Sequence, residues 1–243
     1  PPARATPPGA GQTAALRAHR TRRTIHEHDA KRLLAQAGLP VVREQLVASL
    51  DEAQGAARGI GYPVALKVVS DAIPHRSDLG LVAVGLRDDR DLACAWTRIS
   101  RRLQDLGPRA EAAGWLVQEM ADGVLEVFSG VSRDPDFGPV LAVGTGGILV
   151  DALGDVALRP LPLRAGDAEA MIGETRAGAL LRGFRGRPPG DVAALARCLE
   201  MLADFAWAER ASLAELDVNP IVVRAAGAGC VVADALIVPQ PGA

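Results

Sequence analysis

The spacing of apolar residues changes character near residue 114, and that change limits the folds open to this chain. Before it, helical and strand-like patterns alternate. Thr24 with Glu27 forms a T-x-x-E capping box, and Ala30, Leu33, Leu34 and Ala37 follow at helical spacing until Gly38 and Pro40 stop the helix. Residues 41–48 read as a strand and Ser49 with Glu52 caps a second helix. Strands at 62–70 and 81–87 precede a long helix marked by Leu92, Trp96, Ile99, Leu103 and Leu106. From Trp115 strands crowd together at 115–120, 124–134 and 139–144, with DPDFG (134–138) as a turn. Asp191 caps a helix striped by Val192, Leu195, Leu199, Leu202 and Ala206, and strands at 213–223 and 230–238 close the chain.

This pattern predicts an α+β fold of two α+β lobes, 24–114 and 115–243, the second mostly antiparallel, with a cleft between them. Residues 1–23, rich in Pro, Ala, Gly and Arg without apolar period, read as a linker or tail. The first residue is Pro1, so a processed product or a piece of a longer polypeptide is expected.

Composition removes several function classes. The 243 residues, 49% hydrophobic and 23% charged, suit a soluble globular protein. A net charge of −2 offers no basic field for nucleic acid. Gly and Asp interrupt every apolar stretch before it is long enough to cross a bilayer, so no membrane partner is expected. Cys94, Cys198 and Cys230 stand singly, with neither zinc spacing nor a disulfide framework, which points to the cytoplasm.

Lysine occurs only at positions 31 and 67 among 27 basic residues. Period two puts Val64, Leu66 and Val68 on one face of their strand and Ala65, Lys67 and Val69 on the other. An ammonium there needs an anion, either a protein carboxylate or a ligand phosphate. His75 follows in the polar loop HRSDLG (75–80), between residues able to support a base, nucleophile or phosphoryl carrier. Glu215, Asp217 and Asn219 share one strand face, and Asp234 interrupts a strand able to pair with theirs. Paired, the two strands bring Asn219 and Asp234 together as hard oxygen ligands suited to Mg²⁺, which fills its octahedron with water and phosphate. GTGGI (144–148) offers unobstructed backbone amides, as a phosphate nest requires, or is an ordinary turn.

Taken in order, GYPVALKVVS, HRSDLG, LVQEM, SRDPDFGPVLAVGTGGI, LLRGFRGRPP and ELDVNPIVV resemble the ATP-grasp part of the NDP-forming acyl-CoA synthetases, over residues 24–237. The resemblance implies an ATP-grasp fold whose two lobes clasp a nucleotide, with ATP/ADP and Mg²⁺ as cofactors. It implies that Lys67 contacts adenine and α-phosphate. Gln118, Glu119 and Met120 form the hinge whose backbone recognises adenine, and Glu126 lines the cleft. Gly146 and Gly147 fall in the phosphate loop, Asn219 and Asp234 hold the metal, and Asp217 steadies a docking phosphohistidine. His75 matches a histidine thought to accept phosphate.

The implied activity is that of an acid–thiol ligase. Phosphoryl passes from Mg-ATP to a histidine and then to an acyl group, and CoA yields acyl-CoA. The carboxylate and CoA are expected to come through a CoA-binding and ligase subunit, or fused domains, because no early G-x-G-x-x-G unit occurs here. Two departures concern the loop: Arg76 stands where the family has Lys, and Leu81 takes the second position of a Gly pair. The alternative reading is a non-catalytic, ligand-sensing ATP-grasp domain fused to a protein acetyltransferase. The presence of His75, Asn219 and Asp234 argues against it.

Overall fold

The computed structural model describes residues 16, 24–70, 79–107, 114–146, 154–183, 186 and 188–240. These form two compact units, one running from Val42 to Ala121 and the other combining the described residues up to Val41 with those from Asp122 onward.

The smaller unit contains β1 (Glu44–Val47), α2 (Leu50–Ile60), β2 (Val64–Val69), β3 (Val82–Leu86), α3 (Asp89–Asp105) and β4 (Gly114–Glu119). Its antiparallel sheet has the order β1-β4-β2-β3. Val64, Leu66, Val68 and Val117 from the sheet pack with Ala53 and Ala57 of α2 and Leu92 and Ile99 of α3 in one core. Ser49 caps α2 as its sequence suggests, its hydroxyl accepting from Glu52 N at 3.3 Å, while Glu52 reaches back to Ala48 N at 2.8 Å. The lobe boundary differs from the one expected. Strand β4 lies between β1 and β2 at the centre of this sheet, so the division falls after Ala121 and not after residue 114.

The larger unit includes α1 (Glu27–Gln36), which packs with β10 near the far end of the chain. The box expected at Thr24 does not form. His26 occupies the N-cap without a side-chain bond to the helix's first amides, and Glu27 is buried against Lys31. After the smaller unit come β5 (Leu125–Asp134), β6 (Gly138–Thr145), β7 (Val156–Pro160), α4 (Asp167–Glu174), α5 (Arg176–Leu181), α6 (Val192–Ala208), β8 (Leu213–Val223), β9 (Cys230–Val232) and β10 (Ala235–Pro239). The sheet is antiparallel in the order β10-β8-β5-β6-β7, and β9 also pairs with β8. Asp191 caps α6 as expected, accepting from Ala194 N at 2.9 Å, and also from Gly229 N at 2.9 Å.

One face of this sheet is core: Val127, Val131, Leu141, Val143, Leu216 and Val218 pack with Leu195, Leu199 and Leu202 of α6. Alternation turns Glu126, Glu215 and Asp217 to the other face. That asymmetry sets up the site.

Candidate functional site

Strand β8 meets both C-terminal strands in a single register. Ile221 pairs with Val232 on β9 and Val218 with Ala235 on β10, so Asn219 lies directly opposite Asp234. Backbones of directly opposed residues in antiparallel strands are about 4.5–5.5 Å apart at Cα. The pleat breaks at this point. Val218 and Ile221 both enter the core although three residue steps separate them, and the β5 register shifts opposite, between Val127 and Ser129. A bulge of this kind re-aims side chains, and here it falls on Asn219 and Pro220. Asp234 sits at the matching break between β9 and β10.

Asp217 completes the group. Burial first, then the negative charges of Asp234 and Glu215, push its carboxyl up to about 6, against a partial offset from the Val218 amide. Asp217 pairs with Leu236, two residues beyond Asp234, so the two carboxylates occupy diagonal positions across the strands. Oδ1 of Asp217 is buried without a hydrogen-bond partner among the described residues. An orphaned acceptor beside a second carboxylate and an amide oxygen has the chemistry a hard cation or a donating imidazole would satisfy. Among the described residues no three His, Cys, Asp or Glu side chains form a closed cage. A site of one or two protein oxygens is what Mg²⁺ uses when it keeps water and phosphate ligands. The residues present therefore fit Mg²⁺, which Asn219 and Asp234 would hold.

A raised carboxyl pKa means that the folded chain holds this proton more tightly than the unfolded chain, whose Asp titrates near 4. The associated stability is present below about pH 4 and is lost as pH rises through about 6. Asp217→Asn should therefore raise the melting temperature in chelator at pH 8. After discounting for partial exposure, about 1–2 kcal/mol or 2–8 °C is expected. At pH 4 the two proteins should melt together. Equal melts at both pH values would remove the electrostatic account.

The remaining expected residues divide by unit. In the larger one, Glu126 is exposed on β5. Gly146 donates its amide to Glu126 O at 3.0 Å, and a Cβ there would lie 2.8 Å from the carbonyl carbon of Val127. Glycine is thus required for close approach of the chain, and its amide is already committed. Gly147 lies outside the described residues.

In the smaller unit Lys67 is 8% exposed and Gln118 5%. Lys67 pairs with Leu116 and Ala65 with Gln118, so Lys67 and Gln118 are diagonal neighbours on the sheet face opposite the core. Glu119 N donates to Arg43 O at 2.9 Å and Met120 N to Pro63 O at 3.3 Å, while the Glu119 carboxylate binds Arg43 Nε at 2.9 Å. The backbone amides of these two residues are therefore already occupied within the chain. His75 lies outside the described residues.

Lys31 and Glu27, the latter expected as a helix-capping residue, are 1% and 0% exposed and joined at 2.9 Å. The scarcity of lysine was the available signal, but it was spent on Lys67 alone.

Among the described residues no helix is long and apolar enough to cross a membrane. A family model described as an ATP-grasp domain matches residues 15–238. The chain is 38% identical over 217 residues to the β subunit of acetate–CoA ligase [ADP-forming] II of Pyrococcus furiosus, covering 89% of this chain and 92% of that one. It is 35% identical to 4-hydroxybutyrate–CoA ligase [ADP-forming] of Nitrosopumilus maritimus, where it covers 89% of itself but 31% of the longer protein. Acetyl-coenzyme A synthetase 1 of Ca. Korarchaeum cryptofilum, solved with coenzyme A, Ca-AMPCP and HgCl+, superposes with a TM-score of 0.87 at 38% identity, covering 95% of this chain and 100% of that one. Another structure of that protein, with coenzyme A and Mg-AMPPCP and its phosphohistidine segment pointing towards the nucleotide binding site, gives 0.78 at 36% identity over 92% and 96% of the two chains. By these matches the chain belongs to the ATP-grasp family, in the branch of the β subunits of ADP-forming acyl-CoA synthetases.

Proposed function

We propose that this chain binds Mg-ATP and Mg-ADP and exchanges a phosphoryl group with a histidine, within an enzyme that joins a carboxylate to CoA. The observation that carries this reading is the opposition of Asn219 and Asp234 at a break in the pleat, beside the orphaned Oδ1 of Asp217. Mg²⁺ held there would neutralise charge on the β- and γ-phosphates as the bond to the leaving ADP lengthens.

The chain's own residues divide the remaining work. Lys67 supplies a fixed positive charge from a sheet face where water is scarce, and its attraction for phosphate is correspondingly strong. Gln118, its diagonal neighbour, presents an amide on the same face. Asp217 accepts the N–H of an incoming imidazole, which holds the opposite ring nitrogen toward phosphate. The neutral imidazole attacks phosphorus, the bond to the β-phosphate oxygen breaks, and ADP leaves. The reverse transfer returns phosphoryl to ADP.

CoA and the carboxylate bind on a partner subunit or on fused domains. The longer ligase of which this chain covers 31% supports that division of labour. No membrane is involved, and the compartment is cytoplasmic.

The test is mass measurement of the purified chain after incubation with Mg-ATP. One acid-labile phosphate should appear, and His75→Ala should abolish it. The chain alone should bind Mg-ADP yet make no acyl-CoA with carboxylate and CoA present. Full turnover by the isolated chain, or no Mg-nucleotide binding at all, would overturn the reading.

A further inference from the structure

The second lysine of this lysine-poor chain touches the segment that carries Asp234. Lys31 lies in α1 and is 1% exposed. Its Nζ donates to Glu27 Oε1 at 2.9 Å, one turn earlier, and to the backbone carbonyl of Ala233 at 3.2 Å. The amide of Ala233 is held as well, donating to Pro220 O at 2.9 Å, next to Asn219. The carbonyl of Ala233 and the amide of Asp234 belong to one planar peptide unit. A bond that holds this carbonyl therefore sets the direction in which the chain enters Asp234.

The helix itself is tied on both sides of that unit. Before it, Ile25 exchanges hydrogen bonds of 2.7 and 3.2 Å with Ile237 on β10. After it, Val232 N on β9 donates to Pro40 O at 2.8 Å beside the Val41–Val232 bridge. Residues 233 and 234 lie in the gap between β9 and β10, and α1 is anchored to both strands that flank it. An ammonium and a carboxylate both withdrawn from water are a costly way to pack a helix, since apolar side chains of similar volume often do as well or better. Packing alone does not account for a side chain that reaches the carbonyl of Ala233.

We propose that Lys31, held by Glu27, is a positioning residue that clamps the Ala233–Asp234 peptide and so fixes Asp234 for Mg²⁺ coordination together with Asn219. This inference rests on the metal reading of Asn219 and Asp234 given above. Groups that orient a metal ligand through one intervening contact commonly govern affinity by 10- to 100-fold when removed.

The experiment is calorimetric titration of the 243-residue chain with ADP, once in EDTA and once in excess Mg²⁺. The informative protein is the double variant Glu27→Leu/Lys31→Met, which removes both charges together and leaves no lone charge buried. Lys31→Met alone and thermal melts of all proteins accompany it.

The double variant should melt within a few degrees of wild type and bind metal-free ADP with unchanged affinity. The gain in affinity conferred by Mg²⁺ should fall about tenfold. A folded double variant that keeps the full Mg²⁺ gain overturns the proposal. So does a double variant that fails to fold, because the pair then holds the unit together and does not position a ligand. A wild-type chain that binds ADP without any Mg²⁺ gain overturns the metal reading itself, a failure visible before any variant is measured.

Discussion

Asp234→Ala is expected to raise the Kd for Mg-ADP by about 100-fold or more, while the affinity for ADP in EDTA changes by less than about threefold. The size follows from what is removed. Truncating one partner of a charge pair that becomes buried on binding costs about 2–5 kcal/mol, much of it the penalty of leaving the other charge without its partner. Asn219 and Asp234 face each other across the hairpin, so the amide alone would remain. An octahedral Mg²⁺ with one fewer protein oxygen takes another water, but the lost negative charge is not replaced.

Asp234→Asn separates the two contributions, because it keeps an oxygen donor and removes only the charge. Its loss should be intermediate. Calorimetry with ADP in EDTA and in Mg²⁺ reads both quantities. Equal loss in the two titrations would assign Asp234 to the fold of the nucleotide site and not to a metal.

Most elements were legible because each carries its own local signal. The stripe of Leu92, Ile99 and Leu103 marks α3, and the alternation of Leu216 and Val218 with acidic neighbours marks β8. Asp191 and Ser49 announced their helices by side chains that do cap them. The residues proposed to hold the metal carry a related signal: Asp234 is a charged residue in an otherwise apolar stretch, between β9 and β10 and opposite Asn219 on β8.

Long-range association was not legible. Nothing local in residues 24–41 shows that α1 packs with β10 near the other end of the chain, and the capping box at Thr24 misled because Glu27 bonds Lys31 instead. Nor does alternation reveal that β4 sits between β1 and β2, which moves the boundary to Ala121. The commitment of the Gly146, Glu119 and Met120 amides was likewise invisible, since hydrogen-bond partners of backbone depend on register.

Lys67→Met should raise the Kd for Mg-ADP by about 10- to 100-fold, and its effect on stability decides between the two anions left open by the sequence. A charge-assisted hydrogen bond is worth about 1.5–3 kcal/mol, the range that sets this fold-change. The stability side rests on burial. Lys67 is 8% exposed on a strand whose other five residues are Val, Ala or Leu. Holding an ammonium in such a place costs desolvation energy unless an anion compensates, and Met has similar length without the charge. If the compensating anion is a ligand phosphate, the nucleotide-free variant melts at or above the wild-type temperature and the penalty appears only on binding. If it is a protein carboxylate, the substitution leaves that carboxylate buried and unpaired, lowers stability by about 3–5 kcal/mol, and leaves nucleotide affinity nearly unchanged. Thermal melts without nucleotide, set beside calorimetric titration of the same preparations, separate the two outcomes. Lys67→Arg sharpens the contrast, because it keeps the charge but spreads it over a larger planar group with a different reach and geometry toward phosphate.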